Sequence, residues 1–556
     1  MDADARFSLG KRGLVDPARP EGKTQQLNLG DLLFCEDRPL KATSLSRRQR
    51  RETDREKSAE AVVAVGWAHR QGPNSLMQGA VGDDSMDVER QQGGFYQAFL
   101  FEEWAENPRP GQDGEDRIRS VRNEEPQTSA ASSPARALTV NLMEEVTAPS
   151  NLNRAYTRVV GNEGAAGVDG MTVKELSAWI RSHREDFLTC LLDGTYEPQP
   201  VRGVEIPKPG GGVRQLGIPT VVDRLVQQAI LQVLETYLDP TFSASSFGFR
   251  RGRGAHDALA QASAYVAEGR TIVVDLDLEK FFDRVNHDIL MSRLARRIDD
   301  KRLLRIVRRF LEAGMLQNGV CVDRHEGTPQ GGPLSPLLAN LLLDDLDREL
   351  ERRGHKFCRY ADDCNIYVRS QAAGERVLAS VTKYLEEHLR LRVNQAKSAA
   401  APVWERKFLG HRLLADGTQT IAPKSLERAQ DRVRAITRRN RGVSFEQLVR
   451  ELNSFLTGWV TYFRYAKAKS VLSHLGSWVR RKLRCVRLKQ RKRAKSITDF
   501  LHGLGVPWDR CWTTASSGKG WWRMSHTPAA QEGMNNAWFK TQGLVNPVDR
   551  YLQLQH

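Results

Sequence analysis

Phe357-Cys358-Arg359-Tyr360-Ala361-Asp362-Asp363-Cys364-Asn365-Ile366-Tyr367-Val368 reads as two short strands joined by a tight turn. Phe357 and Cys358 lead in, Ile366 to Val368 lead out, and aspartate suits a turn because its side chain can bond nearby backbone. The turn carries two adjacent carboxylates, Asp362 and Asp363. Hard oxygen donors held at a hairpin tip suit a divalent metal, and a third carboxylate would complete a two-metal site for phosphoryl transfer. Taken alone, an Asp-Asp turn is ordinarily a solvated turn, so the rest of the chain decides.

A third carboxylate stands at Asp277, at the end of the β-branched, apolar run Thr271-Ile272-Val273-Val274-Asp275-Leu276-Asp277. The bland reading makes Asp275, Asp277 and Asp283 surface residues. The run is too apolar to be wholly exposed, however, and an unpaired charge inside such a strand is costly. If its strand neighbours the hairpin, three acidic groups converge on two Mg²⁺ ions.

The bulk composition points to a polyanionic partner. The chain has 556 residues, long enough for several domains, and a net charge of +16. Residues 421–495 hold 21 Lys/Arg against 4 Asp/Glu, while the remainder is nearly neutral. Nucleic acid is the natural counterpart of one such block, and no hydrophobic anchor lies beside it to suggest a membrane surface. The seven cysteines are scattered without a C-x-x-C pair, which speaks against a disulfide framework or a zinc site. Leu334 to Leu343, the best apolar run, is too short and interrupted to span a bilayer, and Met1-Asp2-Ala3-Asp4 lacks the marks of a signal peptide. The expectation is a cytoplasmic protein.

Residues 1–135 are rich in Gln, Gly, Pro, Arg and Glu and show no sustained period, so disorder or a non-native extension is expected there, with Met143 as an alternative start. From about 136 to 420, helical and strand patterns alternate. Val201 to Ile206 and Val213 to Ile218 flank the turn Lys208-Pro209-Gly210-Gly211-Gly212. Ser335 and Pro336 predict a helix start, with Ser as N-cap. Beyond 420 the pattern is helical, with Ser444 and Gln447 as a capping box and an apolar face from Leu448 to Phe463.

With these pieces in order, the chain resembles a group II intron reverse transcriptase/maturase from about residue 140 onward. The resemblance rests on Asn162 to Gly170, on Ile206-Pro207-Lys208 through Arg214 to Pro219, and on Ser246-Phe247-Gly248-Phe249-Arg250. It continues through the Asp277 strand, Thr328 to Pro336, the Tyr360–Asp363 box, Asn394 to Ser398 and Phe408-Leu409-Gly410-His411. Eight weak motifs in one order are hard to obtain by chance. The resemblance implies an α+β right-hand polymerase. Fingers and palm would occupy 136–420, an α-helical thumb (domain X) 421–505, and a small C-terminal DNA-binding module 506–556.

The same resemblance implies roles. Asp277, Asp362 and Asp363 would be catalytic metal ligands for two Mg²⁺, joined by the backbone carbonyl of Leu278; Asp275 is a near decoy, since the family's catalytic aspartate stands five residues before the aromatic. Phe282 would be the steric gate against a 2′-hydroxyl, its rival reading being a core Phe beside Phe281. Lys208 and Arg214 would clamp the triphosphate of the dNTP, Gln330 and Gly331 would approach the incoming nucleotide, and Lys397 would meet the pyrophosphate. In the basic block, Arg480, Arg481, Lys482, Arg484, Arg487, Lys489, Arg491, Lys492 and Arg493 are the expected nucleic-acid contacts. The tryptophans at 459, 478, 508, 512, 521, 522 and 538 read as core rather than stacking platforms.

The implied partners are group II intron RNA, an RNA template with DNA primer, target DNA and dNTPs. No His/Cys endonuclease cluster is visible. Two rivals stand beside this reading: a non-catalytic splicing cofactor, and a reverse transcriptase of a retron, phage-defence or diversity-generating system. The intact triad and Phe282 favour polymerisation, since splicing alone places no demand on them.

Overall fold

The computed structural model describes residues 140–207, 213–317 and 319–555. The expectations for the first 135 residues and for Lys208 lie outside that set. Ten strands stand among the described residues: β1 (Val201–Pro207), β2 (Val213–Ile218), β3 (Ile272–Leu276), β4 (Met315–Gln317), β5 (Val320–Val322), β6 (Lys356–Tyr360), β7 (Asp363–Val368), β8 (Ala399–Pro402), β9 (His411–Leu413) and β10 (Gln419–Ile421). They form three sheets, ordered β2-β1-β4-β5, β6-β7-β3-β8 and β10-β9.

The sheet β6-β7-β3-β8 sets the site. β3 is apolar but for Asp275 and takes an interior position, antiparallel to β7 on one side and β8 on the other. The register places Asp275 opposite Asn365 and Leu276 opposite Cys364. Helix α1 (Val221–Leu238) and helix α2 (Ser335–Arg352) belong to the large core that also takes Val274, Leu276, Phe357 and Ile366.

Ser335 is not the N-cap of α2. Leu334 holds that position, Pro336 falls in the first turn, and the Ser335 hydroxyl donates to Pro329 O at 2.8 Å instead. That bond ties the helix start to the preceding loop. Three polar residues of α2 at helical spacing, Asn340, Asp344 and Asp347, are almost wholly buried.

From Pro423 the chain is helical: α3 (Pro423–Ile436), α4 (Phe445–Tyr462), α5 (Lys469–Arg491), α6 (Ala494–His502), α7 (Trp508–Ala515) and short helices to Gln553. Ser444 caps α4 by accepting from Gln447 N, but the Gln447 side chain turns to Glu451, so only half of the capping box forms. One apolar core runs from Val433 and Leu452 through Leu483 to Met524, Met534 and Phe539. The thumb-region helices and the last fifty residues therefore share a single core.

The basic run is less solvated than expected. Arg484 is buried, donates to Met534 O at 3.0 Å and faces the Phe539 ring, so it supports the core rather than meeting phosphate. Burial pulls its pKa down to about 10. Arg481 lies 3.9 Å from the Trp522 ring centroid, Arg487 lies over Phe445 and Phe500, and Arg491 over Phe500. Lys492 and Arg493 are exposed, whereas Arg480, Arg481, Lys482, Arg487, Lys489 and Arg491 are half-buried. Two tryptophans depart from the core expectation, Trp508 and Trp512, both about half exposed. All described cysteines are free, and no described helix is long and apolar enough to cross a membrane.

Candidate active site

The hairpin forms as its sequence suggests, with Tyr360 paired to Asp363 and only Ala361 and Asp362 between. A two-residue hairpin loop needs a positive φ, and Ala361 supplies it at 58°. That conformation costs a residue with a Cβ, so the surroundings must hold it.

They do so through Arg359, whose side chain is fully buried. Its Nε donates to Asp347 Oδ1 at 2.7 Å and its Nη2 to Asp347 Oδ2 at 2.5 Å. Nη1 donates to Asn340 Oδ1 and to the Ala361 carbonyl, both at 2.9 Å, and Nη2 also reaches Ser246 Oγ at 2.8 Å. All five guanidinium donors are used. Asn340 Nδ2 in turn donates to Gly248 O at 2.9 Å. A Cβ on Gly248 would stand 2.2 Å from Ala361 N, so only glycine lets this loop press against the turn.

Asp277 follows directly on β3, at the end where β7 begins with Asp363. Its backbone is pinned by the Asn394–Ser398 segment: its N–H donates to Ser398 Oγ at 2.9 Å, and its carbonyl accepts from Asn394 N at 2.8 Å. The adjacent bond, Glu279 N–H to Arg392 O, frames Leu278 without using Leu278's own backbone groups. The same segment brings Lys397 Nζ within 2.8 Å of Asp277 Oδ2. Asp275 pairs with Arg406 at 3.3 Å.

Asp362 and Asp363 respond to the carboxylates around them. Burial raises the pKa of Asp362, and the charge of Asp277 adds to it, while Arg214 and Arg359 oppose. Asp363 is pushed up to about 6 by desolvation, then by Asp362, Asp275 and Asp277. Such a group of hard oxygen donors is short of positive charge, which is the chemistry a divalent cation answers. Among the described residues no three such side chains already stand in ligating geometry, and Asp277 is paired with Lys397.

The other expected site residues among those described are placed by β2 and the loop before α2. Arg214, exposed on β2, is close enough to lower the pKa of Asp362. Gln330 O accepts from Gly217 N at 2.9 Å, joining its loop to β2. Gly331 adopts φ +135°, where a Cβ would lie 2.6 Å from Gly217 O. Phe281 is the core residue, whereas Phe282 is half-buried, with its carbonyl accepting from Thr328 N at 2.7 Å.

Sequence reasoning missed the roles of Arg359, Asn340, Asp347 and Ser246. The available signal was that Asn340, Asp344 and Asp347 recur at helical spacing on the same face as the leucines of α2.

A family model described as reverse transcriptase (RNA-dependent DNA polymerase) matches residues 206–413, and one described as the group II intron, maturase-specific domain matches residues 426–502. Protein YkfC of Escherichia coli (strain K12) is 33% identical over 328 residues, covering 52% of this chain and 86% of YkfC. The chain belongs to the group II intron reverse transcriptase/maturase family. The group II intron-encoded protein LtrA of Lactococcus lactis subsp. cremoris is 36% identical over 206 residues, 37% of this chain and 34% of LtrA. The chain thus aligns with most of one relative and about a third of the other. In this reverse transcriptase/maturase, the first match spans the strands that carry all three aspartates, and the second covers helices α4 to α6, including the strongly basic α5.

Proposed function

We propose that the protein is an RNA-directed DNA polymerase encoded by a group II intron, which also binds its intron RNA to aid splicing and supports mobility by target-primed reverse transcription. The observation that carries this is the register that sets Asp277, at the end of β3, beside the β6–β7 turn holding Asp362 and Asp363. Mg²⁺ would be held by these carboxylates and the Leu278 carbonyl, supplying the positive charge that a primer alkoxide and a pyrophosphate leaving group require.

The chain's own residues do the rest. Arg214 neutralises the triphosphate of the dNTP, and Lys208, on its sequence motif, would add a second cation. Phe282, half-buried against the ring of Phe281, offers its ring edge as a wall beneath the sugar. Gly331 allows close backbone approach. Lys397, 65% exposed on a flexible stem, can move from Asp277 to the departing phosphates. The RNA template, DNA primer and target DNA would be held by the helical region, with Lys492 and Arg493 among the exposed cations. The maturase-specific match favours an intron-encoded enzyme over a retron or defence system. A cytoplasmic ribonucleoprotein is the corresponding setting.

The test is primer extension on an RNA template with dNTPs and Mg²⁺, beside Asp362→Ala/Asp363→Ala, with intron splicing assayed for both proteins. Extension lost and splicing kept in the variant supports the proposal. Splicing without extension by the wild type sinks the polymerase and leaves a maturase.

A further inference from the structure

We propose that His287 is a positioning residue for sugar selection: from inside the fold it fixes the Phe282 turn against the loop that leads to Gln330 and Gly331, and so decides how well a ribose is turned away. This rests on the reading of Phe282 as the wall beneath the sugar of the incoming nucleotide.

Phe282 lies in the short turn Phe281–Asp283, soon after Asp277. Phe281 is buried, and its ring meets that of Phe282 edge to face at 5.2 Å, so the core backs the wall on that side. The backbone of the turn is held from elsewhere, by residues 326–328. Thr328 N donates to Phe282 O and Gly327 N to Val285 O, each at 2.7 Å, and Asn286 pairs with Glu326 as an isolated bridge. Gly327 takes φ +88°, and a Cβ there would stand 2.9 Å from the carbonyl oxygens of both Phe282 and Asp283. Only glycine lets the two backbones come this close. Thr328 stands two residues before Gln330, so one junction sets both the sugar wall and the start of the nucleotide-facing loop.

His287 closes this junction from behind. It is the first residue of the helix His287–Ala295, whose cap Asn286 accepts from Ile289 N at 2.9 Å. The imidazole is buried, and its Nε2–H donates to Gly327 O at 2.7 Å. Burial lowers its pKa, which keeps the ring neutral, with one N–H for the one carbonyl it faces. Helix start, sugar wall and nucleotide loop are thereby tied together at Gly327. Refusing a 2′-hydroxyl means refusing a single oxygen atom, and a wall misplaced by an ångström no longer does so. Gly327 is itself buried, and a buried carbonyl without its donor is costly, so loss of the imidazole drives Gly327 to shift and carries the Phe282 turn with it.

The test is single-nucleotide primer extension by the full chain, with dNTPs and NTPs in parallel and kcat and KM read for each. His287→Leu removes the donor, and His287→Gln returns an N–H at similar reach. The expected result is a dNTP-over-NTP preference in kcat/KM about tenfold lower in His287→Leu, the low end for a pocket of the wrong shape. That loss should come through a lower KM for NTPs, and His287→Gln should recover the preference. A wild-type preference in His287→Leu, or no recovery with Gln, overturns the proposal. If His287→Leu does not fold, Gly327→Ala decides: it pushes the same junction apart with the imidazole intact, so its preference must fall too, and a wild-type preference there overturns the proposal. Phe282→Ala separates the two readings. If it selects dNTPs as the wild type does, the reading of Phe282 as the wall is wrong and the proposal falls with it; selection lost in Phe282→Ala but kept in His287→Leu removes the positioning role alone.

Discussion

Arg359 and Asp347 meet as a two-pronged ion pair, at 2.7 and 2.5 Å, with neither side chain reaching solvent. Removing one partner of a buried pair strands the other charge, typically at a cost of about 3–5 kcal/mol. Arg359→Met and Asp347→Leu should each lose about that much in denaturant unfolding, and the double variant should lose much less than their sum. Arg359→Lys keeps a charge but not the fork that holds Ala361 O, so it should retain more stability than activity. Equal losses in both would leave the clamp without a role in positioning the turn.

Gly248 and Ala361 test the turn itself. Gly248→Ala forces a Cβ to 2.2 Å from Ala361 N and must displace the backbone beside Asp362. Shifts near 1 Å at a reacting centre cost roughly 100-fold in rate, and that loss is expected in primer extension. Ala361→Gly acts oppositely on strain, since φ 58° is easy for glycine. Its Tm should not fall, while the Mg²⁺ concentration for half-maximal activity should rise as the turn loosens.

Asp363 carries a pH signature. Its carboxyl, raised to about 6 from an ordinary 3.8, favours folding when protonated, and that contribution is lost as pH rises through 6. Asp363→Asn, assayed without metal, should therefore exceed the wild-type Tm at pH 8 and match it near pH 4. Adding Mg²⁺ should narrow the gap at pH 8. A gap independent of pH would rule out this electrostatic origin.

His411 gives the opposite slope. It is fully buried, its Nδ1–H donates to Leu409 O, and burial lowers its pKa to about 4. The unfolded chain takes up a proton below about 6.5, so the fold loses stability as pH falls from there toward 4. At pH 5 the loss is about 2 kcal/mol. His411→Phe should flatten the Tm between pH 7 and 5, and Leu409 O keeps a donor from the Tyr462 hydroxyl at 2.8 Å.

The strands that bring Asp277 beside the Asp362–Asp363 turn were legible from the apolar run 271–276 and the hairpin pattern of 357–368, whereas the choice of Asp277 over Asp275 came only from the resemblance. Arg359 sits inside the same quoted stretch, yet its role was hidden. Its partners lie 12 and 113 residues away, and nothing local says where a guanidinium will point. The dense cations of α5 misled in the other direction. A run of charges looks solvated in sequence, but a helix packed on two sides must lay some of them on aromatic rings, as Arg481 does on Trp522. Ser335 shows a smaller slip, where a helix start was right and the expected capping residue was one position late.

The core shared by helices α3 to α6 and the final segment has a practical meaning for anyone trimming this protein. Asn453 of α4 grips the tail twice, donating to Gly543 O and accepting from Val545 N, while Phe539 and Met534 fill space beside Leu483. A chain stopped at 505 would not be the same enzyme minus a DNA-binding appendage. It would be a thumb with its inner wall opened to water, and loss of DNA binding in such a truncation would say as much about polymerase integrity as about DNA.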